Sequence, residues 1–167
     1  PLPVRGASKM YDPSKSIKEG GNYVETDNPT IINDIIKYVS ENRNEVTSVV
    51  IDDFGYVMAF DVMRRVGDKG YEKWTELAAS MFKVLHNART YRRDLNIVCT
   101  FHQEKGEDGT LKIKTAGKLL DNAVFLDGLF TFIFYGVIQK DFKANSVNYK
   151  FQTQSTGDST CKSPVGC

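Results

Sequence analysis

The run Val46–Ile51, rich in β-branched residues and closed by Asp52 and Asp53, limits most tightly what this chain can fold into. A strand that does not alternate apolar with polar residues has the pattern of one covered on both faces in a parallel sheet. A second such run, Asn96–Phe101, lies downstream. Between them Trp74, Leu77, Ala78, Met81, Phe82, Leu85 and Ala88 recur at helical spacing, with Glu76, Lys83, Asn87 and Arg89 on other faces. Strand, long helical crossover, strand is the βαβ signature, a parallel pair with a right-handed connection. Ligands in such sheets bind beyond the carboxyl ends of the strands. Asp52 and Asp53 stand at the first of these ends, and His102, Gln103 and Glu104 at the second.

The flanking sequence extends this α/β pattern. Residues 1–27 form an irregular leading segment with a break at Gly20-Gly21 and a short extended piece over Asn22–Thr26. Asn28-Pro29 reads as a helix start, Asn28 capping and Pro29 at the first helical position, where its missing N–H costs nothing. Ile31, Ile32, Ile35, Ile36 and Val39 then give that helix an apolar stripe, and it ends near Asn42–Asn44. Residues 104–121 are polar and carry Lys105, Lys112, Lys114 and Lys118, which predicts a mobile basic loop or a small hairpin. Leu129–Gln139 and Val147–Gln154 read as further strands, and 155–167 as a loop-like tail. At 167 residues without an internal repeat, one domain is the expectation.

Lys and Arg total 22 against 21 Asp and Glu, so no global field draws the protein to nucleic acid or anionic lipid. Any such binding comes from a local patch. The apolar stretch Leu129–Ile138 is too short for a bilayer span and is broken by Thr131 and Gly136. Cys99, Cys161 and Cys167 are few, odd in number and unevenly placed, unlike the disulfide framework of a small secreted domain. A reducing, intracellular setting is the expectation. The chain begins at Pro1 with neither a basic leader nor an apolar signal core, and reads as an excised piece.

Two adjacent acids at a ligand-binding strand end suit Mg²⁺, which dehydrates reluctantly and is held through one or two carboxylates plus phosphate oxygens. Asp52 fits that role, and Asp53 that of orienting or deprotonating an attacking water. The bland reading is that Asp often ends a strand because it caps turns and helix starts. His102 taken alone reads as a hydrogen-bonded structural histidine, the loop lysines as solvated charges, and Cys99 as a small core residue. Cys161 and Cys167 with His86 or His102 lack the spacing of a common zinc site. Trp74 and the aromatic run Leu129–Gly136 read first as core, although alternation of Phe130, Phe132 and Phe134 leaves a base-stacking face open.

The segments SVVIDDFGYVM, GYEKW, NIVCTFHQE, KIKTAGKLLDN, GLFTFIFYG and FQTQSTGDSTCKSP, taken together, resemble the phage RecA-like ATPases of the AAA/P-loop class, often encoded beside single-strand annealing and recombination proteins. The resemblance implies a three-layer RecA-like P-loop NTPase core with a mostly parallel sheet, its N-terminal part missing. It implies ATP and Mg²⁺ as cofactors, with Asp52 as the Walker B acid and Asp53 as catalytic acid. His102 and Gln103 would couple phosphate state to DNA, and Lys112, Lys114 and Lys118 would touch DNA or a neighbouring subunit's nucleotide. Single-stranded DNA, phage recombination proteins and a homo-oligomeric ring or filament are the implied partners, in the cytoplasm of a bacterial host and away from membrane.

One departure is large: no G-x-x-x-x-G-K-[ST] occurs. Gly6-Ala7-Ser8-Lys9 lacks the second Gly before Lys, and Ser14-Lys15-Ser16 lacks both glycines. Relatives carry that loop upstream, and without its N–H cradle the β- and γ-phosphates lose their main support. A non-catalytic RecA-like DNA- or protein-binding module is therefore the rival expectation. A small metal-dependent nuclease built on Asp52 and Asp53 is a third, without a clear third acid and lysine.

Overall fold

Asn28 begins the first regular helix as its side chain predicts, accepting the Thr30 N–H at 2.9 Å with Pro29 in the first turn. The structure, a computed structural model, describes residues 12–70, 72–115, 126–141 and 145–164. Helix α1 (Pro29–Asn42) turns Ile32, Ile36 and Val39 into the core. Strand β1 (Ser48–Ile51) leads into α2 (Phe54–Arg64), then α3 (Glu72–Ala88), then β2 (Asn96–Cys99). β1 and β2 pair in parallel, with Ser48 opposite Asn96 and Ile51 opposite Cys99. Phe54, Ile36, Met58, Met81 and Val84 are the largest fully buried side chains, so the core lies between the three helices and one face of this pair.

Downstream elements are local. β3 (Gln103–Lys105) returns as β4 (Leu111–Ile113), with Gly109 taking φ +83° in the turn. A short helix, α4 (Leu126–Leu129), precedes β5 (Tyr135–Asp141), which pairs antiparallel with β6 (Ser146–Gln152). Ile133, Tyr135 and Cys161 form a small second core with Leu111 and Phe130 against it. The irregular stretch after β6 is tied back by bridges from Ser159 to Leu111 and from Lys162 to Ile133. Among the described residues no helix is long and apolar enough to cross a membrane.

The expected three-layer core with a mostly parallel sheet is not what forms. The described strands make three separate two-stranded sheets, and only β1–β2 is parallel. Connection length is part of the reason: a parallel partner needs a crossover of a dozen or more residues, which α2 and α3 supply between β1 and β2. Connections as short as 106–110 and 142–145 permit only antiparallel return. Nor are β1 and β2 covered on both faces, because Val49, Ile51, Ile97 and Cys99 pack inward while Val50 and Val98 stay 61% and 46% exposed. One further expectation changes: Leu129 ends a helix instead of starting a strand. The expectation for 104–121 resolves over its first half to the hairpin; residues 116–125 lie outside the described ones.

Candidate functional site

Parallel register fixes what sits beside the two acids. Because Ile51 faces Cys99, the next residues, Asp52 and Thr100, emerge together from the carboxyl ends of β1 and β2. The Thr100 N–H donates to the Ile51 carbonyl at 3.0 Å, and the Phe54 N–H to the Thr100 carbonyl at 2.9 Å, extending the ladder past both strands. The Thr100 hydroxyl accepts the Asp53 N–H at 2.6 Å and donates to Asp52 Oδ1 at 2.9 Å. One hydroxyl thus fixes both acidic residues, one through its backbone and the other through its carboxylate.

Asp53 takes φ 54°, ψ 55°, the left-handed region that L residues other than Asn, Asp and Gly seldom enter. That turn lets the chain pass from β1 straight into α2 while Ile51 and Phe54 both stay in the core. It also aims the side chain back over the edge, where Asp53 Oδ2 lies 3.2 Å from His102 Nε2. Asp53 Oδ1 is buried and has no hydrogen-bond partner. Such an orphaned carboxylate oxygen in a backbone-strained residue is the kind of local cost that persists at functional sites. The His102 ring stands edge-on to Tyr56 at 5.9 Å, and its backbone carbonyl accepts the Lys114 N–H at 2.9 Å, joining the β3–β4 hairpin to the site. Gly55 lies beside Asp53 Oδ1: a Cβ there would sit at ordinary contact distances, 3.8 Å from that oxygen and 3.9 Å from the Lys114 carbonyl.

The structure brings together Asp52, Asp53 and His102 of the residues expected to carry chemistry, and separates the others. Gln103 is exposed at the start of β3, where it faces Ile113 across the hairpin, and makes no hydrogen bond to either acid. Lys112 is held by Glu104, Nζ to Oε1 at 3.3 Å, so its charge is partly spent inside the hairpin. Lys114 is exposed, and Lys118 lies outside the described residues. Thr100 is the residue sequence reasoning missed. The signal was available in the parallel pairing, which puts the first polar residue after Ile97-Val98-Cys99 opposite Asp52.

The donor set is hard oxygen: two carboxylates and a hydroxyl, with one imidazole behind. Among the described residues no group of three or more His, Cys, Asp or Glu side chains converges on one point. This set suits Mg²⁺, held by few protein ligands and completed by water and phosphate oxygens, better than an all-protein cage. Behind the edge, burial pushes the Cys99 thiol up to about 12, as for an inert core cysteine. Compared with family models, curated proteins and solved structures, the chain matches none.

Proposed function

We propose that this chain is the downstream part of a nucleotide-binding ATPase of the phage recombination or replication type, with a Walker B edge at Asp52 and Asp53. The observation that supports it best is the pair of carboxylates fixed by Thr100 at the open end of the parallel strands, one of them with a buried, unpartnered oxygen. Asp52 would hold Mg²⁺, and the ion would supply charge neutralisation for the nucleotide phosphates. The protein's own groups do the rest. Thr100 holds the Asp52 carboxylate still, so the acid keeps one orientation toward the open edge. Asp53 presents Oδ2, which lies beside His102, as the acceptor for the attacking water's proton, while its buried Oδ1 faces inward. His102, exposed on the hairpin side, reports the state of Asp53 to β3 and β4.

The rival is a binding module without hydrolysis, and the missing phosphate loop is expected of both readings. One experiment separates the two: Mg²⁺-dependent ATP hydrolysis with single-stranded DNA, by this chain and by a version extended upstream through its reading frame, each with and without Asp52→Ala. Hydrolysis by the extended form that disappears with Asp52→Ala supports the ATPase. Absence of hydrolysis in both forms, with DNA binding retained, supports the binding module.

A further inference from the structure

The β5–β6 hairpin carries an apolar face that no part of the described chain covers. Register places Gly136 opposite Phe151, Ile138 opposite Tyr149 and Lys140 opposite Val147, and directly opposed residues share a face. Phe134, two residues before Gly136, continues the same face, its ring 6.5 Å from Phe151 and 5.8 Å from Phe132. Phe130, which the sequence pattern groups with these rings, turns inward instead and stacks edge-on against Phe101 at 5.9 Å. Tyr149 is 80% and Phe151 74% exposed, although nothing in strand geometry prevents a polar residue at either position. Gly136 opens the face: a Cβ there would meet nothing within 4 Å. Beside it a shallow cleft of about 280 Å³ is lined by Gly136, Val137, Ile138, Tyr149, Lys150 and Phe151.

We propose that this face is a stacking platform for the bases of single-stranded nucleic acid. Aromatic rings at alternating strand positions give successive flat surfaces, and every base has a π-face to lay on them. A β-sheet presenting two or three exposed aromatics is also the way sheet-based modules take unpaired bases. Charge selects this occupant over a second copy of the chain. Lys140 stands on the aromatic face, whereas Asp141 falls on the opposite side of the ribbon, the side that also carries Lys150. The charge on the aromatic face is thus that of Lys140, which a phosphate backbone beside the stacked bases complements and a second copy of the same face does not. Among the other exposed apolar residues described, Val50 and Val98 have no aromatics beside them, and Tyr56 and Phe60 on α2 stack on each other at 5.6 Å.

The inference rests on the DNA-linked reading above for its setting, and its test is independent of hydrolysis. Fluorescence anisotropy of labelled oligothymidylate and oligouridylate of about 16 nucleotides is followed with the full chain, without nucleotide or Mg²⁺. Phe151→Ala and Tyr149→Ala should each weaken binding by roughly 5- to 150-fold, the loss expected for one stacked base. Tyr149→Phe and Phe151→Tyr should retain binding, and Lys140→Gln should flatten its salt dependence. Equal loss on both oligonucleotides supports stacking without discrimination between them; loss on one alone supports a platform that reads the 2′-hydroxyl or the C5-methyl group in which they differ. Because these side chains are exposed, the variants keep the fold, and unchanged circular dichroism verifies that. Binding unaltered by either alanine, or no binding by the parent chain, overturns the proposal. So does a concentration-dependent dimer that Phe151→Ala dissolves while oligonucleotide affinity is unchanged. An inactive ATPase with Phe151-dependent binding leaves the platform standing and removes only the hydrolytic reading.

Discussion

Replacing Asp53 by glycine and by alanine isolates the backbone strain at the acid turn. Both variants remove the carboxylate, the contact with His102 and the unpartnered Oδ1, so those terms cancel between them. What remains is the left-handed conformation at φ 54°. A Cβ in that region costs about 1–2 kcal/mol, against which glycine's extra freedom in the unfolded chain costs roughly 0.4–1 kcal/mol. Asp53→Gly should therefore be the more stable by about 0.5–1 kcal/mol. In a helix interior the order is the reverse, alanine winning by about 1 kcal/mol. Urea unfolding followed by far-ultraviolet circular dichroism reads the difference as a shift in midpoint at constant slope. In thermal melts a chain of this size should show about 1–4 °C. Equal stability, or alanine ahead of glycine, would mean that residue 53 does not turn left-handed, and the account of how β1 passes into α2 would go with it.

Two other predictions probe the same edge. Thr100→Val removes both hydrogen bonds of the hydroxyl and should lower stability by about 1–2 kcal/mol in urea melts, while Thr100→Ser keeps most of it; a serine variant as unstable as valine would shift the cause to packing of the methyl. Cys99, with its thiol raised from 9.0 to about 12 by burial, stays protonated in the fold after the unfolded chain has ionised. Its contribution is present below pH 9 and is lost as pH climbs toward 12, because the unfolded state then binds fewer protons. Cys99→Ala should flatten that part of the stability–pH curve, and an unchanged slope would show the thiol to be solvated.

Where residues carry their own punctuation, the fold was legible. Asn28 and Pro29 mark the start of α1, the isoleucine spacing its buried stripe, and the Trp74–Ala88 pattern lies within α3. The two apolar runs gave the parallel pair and hence the edge bearing Asp52 and Asp53. Helix α2 was hidden. Its sequence opens Phe-Gly-Tyr-Val, poor helix formers, directly after a strand, and what makes it helical is burial of Phe54, Val57 and Met58 at zero, three and four positions along the turn. The β5–β6 hairpin was misjudged for a different reason. Apolar content shows that a segment is extended, but the length of the connection decides whether its partner is parallel, and 142–145 is too short for any crossover. Thr100 and its bonds depend on register, which no single strand reveals.

The acid edge and the aromatic hairpin are physically joined. From Asp53 the path runs through His102 to the Lys114 N–H, along β4 to Leu111, and there divides. Leu111 donates to the Asp158 carbonyl at 2.9 Å and accepts from Thr160 at 3.0 Å, while the Tyr135 hydroxyl at the start of β5 donates to the same Leu111 carbonyl at 3.2 Å. Gln152, the last residue of β6, reaches Asp158 Oδ1 at 3.1 Å and Ser159 Oγ at 3.2 Å. Both strands of the stacking platform are thus anchored on β4, the strand whose far end holds His102. A path of contacts is not a coupling; a coupling is a free energy, and it is reciprocal. If a group bound at Asp53 moves His102, and His102 moves β4, then a strand stacked on Phe151 must alter affinity at the acid edge by the same factor. A second path of contacts runs from Phe54 through Phe101 and Phe130 to the Ile133–Tyr135 core at the start of β5, so variants at His102 and at Phe101 separate the polar route through β4 from the packed one.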